Sequence, residues 1–360
     1  MYTSLDRICG YSFIERLFPH ICFCLPNYRT YHCFSAITII SLRSRYLFVI
    51  KARYIFLLLL SGFSLFAKAQ YDPSFSHYFD METSFNPAAT GKQSKINVTA
   101  AYALDMAGFE HNPQTAYAAA DMPFYALKSY HGVGAQFMND KLGLFTHTKL
   151  ALQYSYKFKL FGGQLSTGLQ VGFISEDFDG SKLDLEDSSD PAFSTSHISG
   201  NTVDLGAGFY YTHKQWYLGF SAQHLTAPLV TLGDNNELQI DRTYYLTGGY
   251  NIKLRNPFLT IKPSFLVRSD GVACRGDITT RLVYTNDTKT MYGGIGYSPT
   301  NSLTLLFGGS FHGIVLGYSY EFYTSGINPG NGSHELFIGY QHDINLVKKG
   351  RNLHKSVRIL

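Results

Sequence analysis

Charged residues are scarce in this 360-residue chain, at 16%, whereas soluble domains carry about a quarter. Aromatic residues are equally frequent, at 16%, and so much apolar surface excludes a disordered chain. The sequence also lacks an apolar run as long as a membrane-spanning helix needs, about 18 residues or more. These absences leave a β-rich protein that is either secreted or inserted in a membrane.

Cysteine is almost absent from the body of the chain. Four of the five cysteines lie within residues 1–50, and the fifth is Cys274. A disulfide framework after residue 69 is therefore excluded. Residues 1–50 show no consistent hydrophobic period, and we interpret them as an upstream extension translated from a start codon ahead of the true one. A metal or redox module is the alternative, but no C-x-x-C spacing links these cysteines: Cys9, Cys22, Cys24 and Cys33.

Residues 51–69 have the three parts of a secretory signal peptide. Lys51 and Arg53 precede an apolar segment, 54–66, and an A-x-A cleavage pattern ends at Ala69. The apolar segment is too short to cross a bilayer. We expect cleavage after Ala69 and export of the chain, with no lipid anchor because no cysteine follows the cleavage site.

Positive charge is concentrated towards the two ends of the sequence. The formal net charge is +4, but basic residues cluster in residues 1–69 and 348–360, and acidic residues outnumber them in between. The basic footprint of a nucleic-acid-binding protein is missing. We therefore expect no nucleic-acid partner.

Apolar and polar residues alternate along many short segments after residue 93. Leu150, Leu152 and Tyr154, for example, alternate with Ala151 and Gln153, which is the period of a strand with one apolar and one polar face. Turn-forming residues separate the segments. The pattern predicts fourteen strands, over residues 94–104, 114–122, 131–139, 147–160, 164–176, 201–212, 215–224, 241–253, 258–269, 276–285, 289–297, 301–309, 312–323 and 333–343.

Three features favour a transmembrane barrel over a soluble sandwich. The segments are longer than ordinary strands and match the length of tilted membrane strands. Their polar faces are rich in Gly, Ser, Thr and Gln, which suit a barrel lumen. Aromatic pairs at strand ends predict interfacial girdles, namely Tyr210-Tyr211, Trp216-Tyr217, Tyr244-Tyr245 and Phe322-Tyr323.

We therefore predict an all-β fold, a transmembrane antiparallel outer-membrane β-barrel of about 14 strands. The barrel covers residues 94–345, and a basic tail, 346–360, follows it. Outer-membrane lipid surrounds such a barrel. A ring of this size is too wide for its own side chains to fill, so either water or a plug segment occupies the lumen.

The sequence contains no convincing catalytic or metal-binding constellation. His334 and Glu335 are adjacent on a strand, so they face opposite ways, and we interpret them as structural residues at a strand end. The acidic segment from Asp177 to Asp190 lacks the register of a calcium loop and is interpreted as a solvated loop. We predict that the protein is not an enzyme and has no metal or cofactor; a membrane-embedded hydrolase is the least favoured alternative.

The leader, residues 70–93, differs from the strands that follow it. It contains two turn-initiating pairs, Asp72-Pro73 and Asn86-Pro87, and it has no alternating pattern. Two interpretations stay open, a plug that fills the lumen and an extension into the periplasm.

Several motifs, taken in order, carry a family resemblance. The leader carries the pattern Asp72-Pro73-x-Phe75-Ser76-x-Tyr78, followed by Asn86-Pro87-Ala88-x-x-Gly91. Four further matching segments come after it in order: 216–225, 242–246, 262–268 and 333–340. Together they resemble the PorP/SprF family of type IX secretion system membrane proteins over residues 70–345. The basic tail and the extension 1–50 depart from the family pattern. The family-motif positions, whose roles are unassigned, are Asp72, Pro73, Phe75, Tyr78, Asn86, Pro87, Gly91, His334 and Glu335.

The resemblance implies an outer-membrane barrel that serves type IX protein secretion and gliding motility. Its implied partners are a secreted surface protein or adhesin with a C-terminal sorting domain and periplasmic components of the secretion machinery. We expect the barrel to help export or anchor such a protein. The alternative is an outer-membrane pore or a transporter for small molecules such as fatty acids.

Overall fold

The computed structural model describes residues 71–182, 197–233, 236–287, 289–299, 301–324 and 331–344. The predicted upstream extension 1–50, signal peptide 51–69 and basic tail 346–360 lie outside the described residues, and so does most of the acidic loop. No helix in the described part of the chain is long and apolar enough to cross a membrane.

The described residues form strands and three single turns of 3-10 helix. These turns are Glu82–Ser84, Pro87–Ala89 and Gly180–Lys182. The strands are β1 (Lys95–Leu104), β2 (Gln114–Ala126), β3 (Ser129–Leu142), β4 (Phe145–Leu160), β5 (Gly163–Asp179), β6 (His197–His213), β7 (Trp216–Gln223), β8 (Leu229–Leu232), β9 (Asn236–Gln239), β10 (Thr243–Tyr250), β11 (Ile252–Lys253), β12 (Leu259–Ser269), β13 (Cys274–Asn286), β14 (Lys289–Ser298), β15 (Ser302–Phe311), β16 (Ile314–Tyr323) and β17 (Ser333–Asp343).

Fourteen of these strands close into one antiparallel ring. β1 pairs with β17, and β10 pairs with β12, while β11 is a two-residue strand on the edge of β12. The predicted barrel of fourteen strands is therefore confirmed. The alternating pattern did not predict the hairpin β8–β9, which lies between the predicted strands 215–224 and 241–253, because four-residue strands are too short to show a period.

The two faces of the wall differ as the alternation predicts. On β4, Leu150 and Leu152 are exposed on the outer face, whereas Lys149, Gln153 and Lys157 on the inner face are buried. Large apolar side chains are exposed around the ring in the same way, because they form the surface that meets lipid. The inner polar residues are buried, so the lumen is filled rather than empty.

The prediction that the aromatic pairs form interfacial girdles holds for only part of each pair. Adjacent strand residues face opposite ways, so only one member of a pair can meet lipid. Tyr211 and Tyr244 face outwards, but their neighbours Tyr210 and Tyr245 are buried inside the barrel. The expectation that both members belong to an interfacial girdle is wrong.

The two ends of the barrel carry different connections. β1 begins and β17 ends at the end with the tight turns, which we name the turn mouth; the opposite end is the loop mouth. The turn mouth includes residues 127–128, 161–162 and 214–215, and the loop mouth includes 105–113, 224–233, 236–242 and 331–332. In outer-membrane barrels the short turns face the periplasm.

Candidate functional site: the plugged lumen

Residues 71–92 lie inside the barrel, and we name this segment the plug. It forms hydrogen bonds with strands on several sides of the ring. Tyr78 bonds to Ser264 on β12 at 3.0 Å, and Thr90 donates to Gln153 on β4 at 2.9 Å. Most of its side chains are buried. The leader therefore occupies the lumen that the wall alone leaves open.

Two short turns shape the plug. Asn86 caps the 3-10 turn Pro87–Ala89, because its Oδ1 accepts a hydrogen bond from the Ala88 amide at 2.9 Å. Its Nδ2 donates to the Phe209 carbonyl on β6 at 3.1 Å. Pro87 fixes the backbone at the first position of the turn. The Asn-Pro pair thus sets the local fold and ties it to the wall.

Glycines in the wall make room for the plug backbone. A Cβ on Gly168 of β5 would overlap the backbone of Pro87 and Ala88, and a Cβ on Gly132 of β3 would overlap the Thr90 carbonyl. Within the plug, Gly91 has a φ of +62°, which favours glycine. These glycines therefore serve the close approach of two backbones.

Glu335 on β17 anchors the middle of the plug. Its carboxylate accepts hydrogen bonds from the Ser76 amide at 2.6 Å and the His77 amide at 3.0 Å, and it lies 2.6 Å from His77 Nδ1. The His77 ring stacks on Phe337, with centroids 5.7 Å apart. One wall carboxylate therefore satisfies two backbone donors inside the barrel, of which the His77 amide is fully buried.

Asp72 is the centre of a charged cluster near the loop mouth. Its carboxylate lies 3.1 Å from His224 Nε2 and accepts a hydrogen bond from the Tyr245 hydroxyl at 2.5 Å. Arg268 donates to the Asp72 carbonyl at 3.1 Å, and Asp204 lies 3.1 Å from the other His224 nitrogen. We name Asp72, His224, Tyr245, Arg268 and Asp204 the latch.

The charged groups of the latch shift the pKa values of one another. Burial raises the pKa of the Asp72 carboxyl, but the charge on His224 and its hydrogen bond outweigh burial and hold that pKa well below its usual range. Burial lowers the pKa of His224, yet Asp72 and Asp204 outweigh it and raise that pKa. The loop-mouth end of the plug is thus held by an ion pair inside the protein.

Tyr71 adds a second contact beside the latch. Its hydroxyl donates to the Glu176 carboxylate on β5 and contacts His147 on β4. Burial, and then the charge of Glu176, raise the pKa of this hydroxyl, so it stays protonated. The ring also packs beside the apolar cluster of Ile174, Val230, Leu232 and Ile240. The hairpin β8–β9 therefore covers this end of the plug.

The turn-mouth end of the plug is held by charge and by aromatic rings. Lys92 pairs with the buried Glu82, which also accepts a hydrogen bond from the Tyr210 hydroxyl at 2.9 Å. The Arg281 guanidinium lies 3.3 Å from the centre of the Phe79 ring, a cation–π contact. Both ends of the plug are thus fastened.

The structure brings most of the family-motif positions together. The buried plug residues among them are Asp72, Phe75, Tyr78, Asn86, Pro87 and Gly91, and Pro73 is half-buried. Glu335 faces the plug. His334 does not join them: it lies on the outer side, where its Nδ1 is 2.7 Å from the Tyr318 hydroxyl.

Sequence reasoning missed the wall residues that complete the site. His224, Asp204, Lys149 and Arg268 are buried against the plug or its neighbours. A signal was present, since charged residues on the inner face of long strands are costly unless paired. In the described ranges, no three His, Cys, Asp or Glu side chains are arranged to hold a metal ion.

Asp105 lies just after β1 at the loop mouth, and we expect it to make the stability of the folded protein depend on pH. Burial raises the pKa of its carboxyl to about 7, and Glu321 and Glu335 add to this effect. The unfolded carboxyl ionises near pH 4, so the folded protein retains a proton between about pH 4 and 7 that the unfolded chain has lost. Stability therefore falls as pH rises through this window.

We expect Asp105→Asn to remove that fall. The measurement is the temperature at which the compact folded band disappears on gel electrophoresis, recorded from pH 4 to 8. Glu110→Gln is the control, because the Glu110 side chain is 91% exposed. If the pH profiles of Asp105→Asn and the wild type are parallel, Asp105 does not cause the effect.

A family model described as type IX secretion system membrane protein PorP/SprF matches residues 67–340. This range includes the whole plug and nearly all of the ring. The chain belongs to the PorP/SprF family. The family assignment and the closed ring together support an outer-membrane location.

Solved barrels resemble this PorP/SprF protein distantly, and no curated protein matches it. A Pseudomonas aeruginosa FadL homologue is 12% identical over 72% of this chain and 93% of that chain, with a TM-score of 0.44. The CymD monoaromatic hydrocarbon channel is 8% identical over 74% and 93%, with a TM-score of 0.45. The Pseudomonas putida toluene transporter TodX is 9% identical over 76% and 95%, with a TM-score of 0.42.

Proposed function

We propose that this barrel exports or anchors one cognate surface protein of the type IX pathway, recognised by its C-terminal sorting domain, and that in gliding cells the cargo is an adhesin. Family membership supports a role in type IX secretion. The observation that carries the rest is the plug, because a filled lumen fits docking better than passage through the barrel. The barrel then acts by binding and not by catalysis.

The two mouths have different roles in this proposal. With the tight turns on the periplasmic side, the loop mouth faces outwards and is available to the surface protein. Periplasmic components of the secretion machinery meet the turn mouth, where the exposed plug residue Lys92 and the exposed Gln93 and Ser94 lie before β1.

Deletion of the gene tests the proposal. We expect one surface protein with a C-terminal sorting domain to be lost from the cell surface, and to return when the wild-type gene is restored. Quantitative mass spectrometry of shaved surface peptides measures this. An unchanged surface proteome would contradict the proposal.

The alternative, an outer-membrane pore or transporter, needs an open path through the barrel. A steady current through the purified wild-type protein in a planar bilayer would favour that alternative. We expect no such current, because the plug bonds to the wall from one mouth to the other.

A further inference from the structure

The barrel wall changes height abruptly between β6 and β7. β6 is 17 residues long, whereas β7 has only eight. Their pairing runs from His213↔Trp216 to Ala207↔Ala222, and one more hydrogen bond joins the Leu225 amide to the Leu205 carbonyl at 2.9 Å. Above Leu205, towards the loop mouth, the one described strand that pairs with β6 is β5, as far as His197↔Asp179.

The backbone above this point has a free edge. Residues along an antiparallel strand turn their N–H and C=O groups alternately to the two sides. Because the Leu205 carbonyl faces β7, the groups of Val203, Asn201 and Ser199 face the same side. Within the described ranges, no backbone hydrogen bond reaches them there, and all three residues are exposed.

The free edge is nevertheless fixed in place. The register of β6 with β5 is continuous, without a bulge. On the inner face the hairpin β8–β9 packs closely: a Cβ on Gly200 would overlap the Thr231 carbonyl, and Ile198 joins the apolar cluster around Val230. The hairpin covers the inner face and leaves the edge open.

This edge also lacks the usual protection. Exposed edge strands normally carry lysine, proline or a bulge that prevents pairing with another strand. Here the residues that face outwards are small or uncharged: Val203, Asn201 and Ser199. A rigid, unprotected edge is suited to accept an extended segment.

We propose that the edge of β6 from Ser199 to Val203 is the docking site for an extended strand of the exported partner. The strand adds antiparallel to β6, in the place that β7 would occupy if it were as long as β6. This inference rests on the proposed function, since it presumes a cognate secreted protein. The partner supplies backbone pairing, and the small side chains here leave room for its own.

A second copy of this chain does not fit the edge. Two copies inserted in one membrane with the same orientation have β6 strands that run in the same direction. Antiparallel pairing between them would need one barrel to be inverted in the membrane, and a symmetric contact is isologous. An antiparallel occupant of this edge is therefore not a second copy of this chain inserted in the same orientation.

Hydrogen exchange on the purified barrel in nanodiscs is the first test. We expect the amides of Ser199, Asn201 and Val203 to exchange freely, while those of Gly200 and Thr202, which face β5, are protected. Adding the purified sorting domain of the protein lost in the deletion strain should protect the first set. Protection of the Val203 amide before any addition, or no change on addition, would overturn the inference.

Substitution in cells is the second test. Asn201→Pro removes the outward N–H but spares the pairing with β5, and we expect about a tenfold loss of the partner from the cell surface. Asn201→Ala keeps the N–H and should have no effect. Val203→Pro repeats the test if the first variant fails to fold. If gene deletion removes the partner from the surface but folded proline variants display it normally, the docking site on β6 is wrong and the proposed function still holds. If gene deletion removes no surface protein, the docking site and the proposed function are both wrong.

Discussion

Replacing plug residues 74–90 with a Gly/Ser linker of equal length should turn a silent barrel into a conducting pore. The plug supplies the side chains that fill the lumen, including Phe75, Tyr78 and Phe85, all buried. Without them the remaining wall residues enclose a continuous aqueous path, because a ring of fourteen strands is too wide to be closed by its own side chains. Single-channel recording in planar bilayers measures the change, from no current to stable steps.

A point substitution gives a milder version of the same experiment. Gly168→Leu places a side chain where Pro87 and Ala88 lie, so it should displace the plug and produce intermittent current. Gly293→Leu is the matched control, since a Cβ at Gly293 meets nothing within 4 Å. Folding is checked by the heat-dependent shift of the band on gels. A folded Gly168→Leu barrel and a folded linker variant that both stay silent would show that the plug does not close the lumen.

The strands were predictable because lipid imposes a simple rule on them. Each spanning strand must present apolar residues to lipid and polar residues to the lumen. Apolar and polar residues therefore alternate along its sequence with a period of two. Leu150, Leu152 and Tyr154 follow it, and their exposure is as expected. The rule fixes the face of each residue, which is why only one tyrosine of the pair Tyr244-Tyr245 meets lipid.

The position of the plug could not be derived in the same way. Its residues have no period, and its order depends on partners far away in sequence: Glu335 lies 259 residues from Ser76, and His224 lies 152 from Asp72. A buried Gln or Lys on an inner face also has the same sequence pattern as one that meets water. Only the closed ring brings these groups together.

The latch should make retention of the plug depend on pH. The ion pair of Asp72 is formed above the pKa of an unfolded aspartate, about 4, and is lost only far below it, because the pKa of Asp72 is depressed. The stabilisation that charged His224 gives the folded protein is complete below the pKa of an unfolded histidine, about 6.5. It is lost as pH rises through the raised pKa of His224. The plug should therefore be held most tightly between about pH 4 and 6.5 and loosen above that.

Breaking the latch should release the plug at every pH. Removing one partner of a buried ion pair leaves the others uncompensated and costs about 3 kcal/mol, so Asp72→Ala should speed plug opening roughly a hundredfold. A thiol at the buried Ala89 (Ala89→Cys, with Cys274→Ala to remove the native cysteine) reports opening through its rate of maleimide labelling. Asp80→Ala is the control, since Asp80 is an exposed plug residue 3.9 Å from Arg281 and should change the rate less than about fivefold.

The pH dependence separates the latch from simple loss of packing. His224→Gln removes the charge that the latch loses as pH rises through the raised pKa of His224, so labelling in this variant should be fast and nearly independent of pH between 6 and 9. In the wild type the rate, corrected for thiol ionisation on an exposed reference cysteine, should rise across that range. If both proteins show the same corrected profile, the rise comes from another group, and His224 holds the plug by shape and not by its charge.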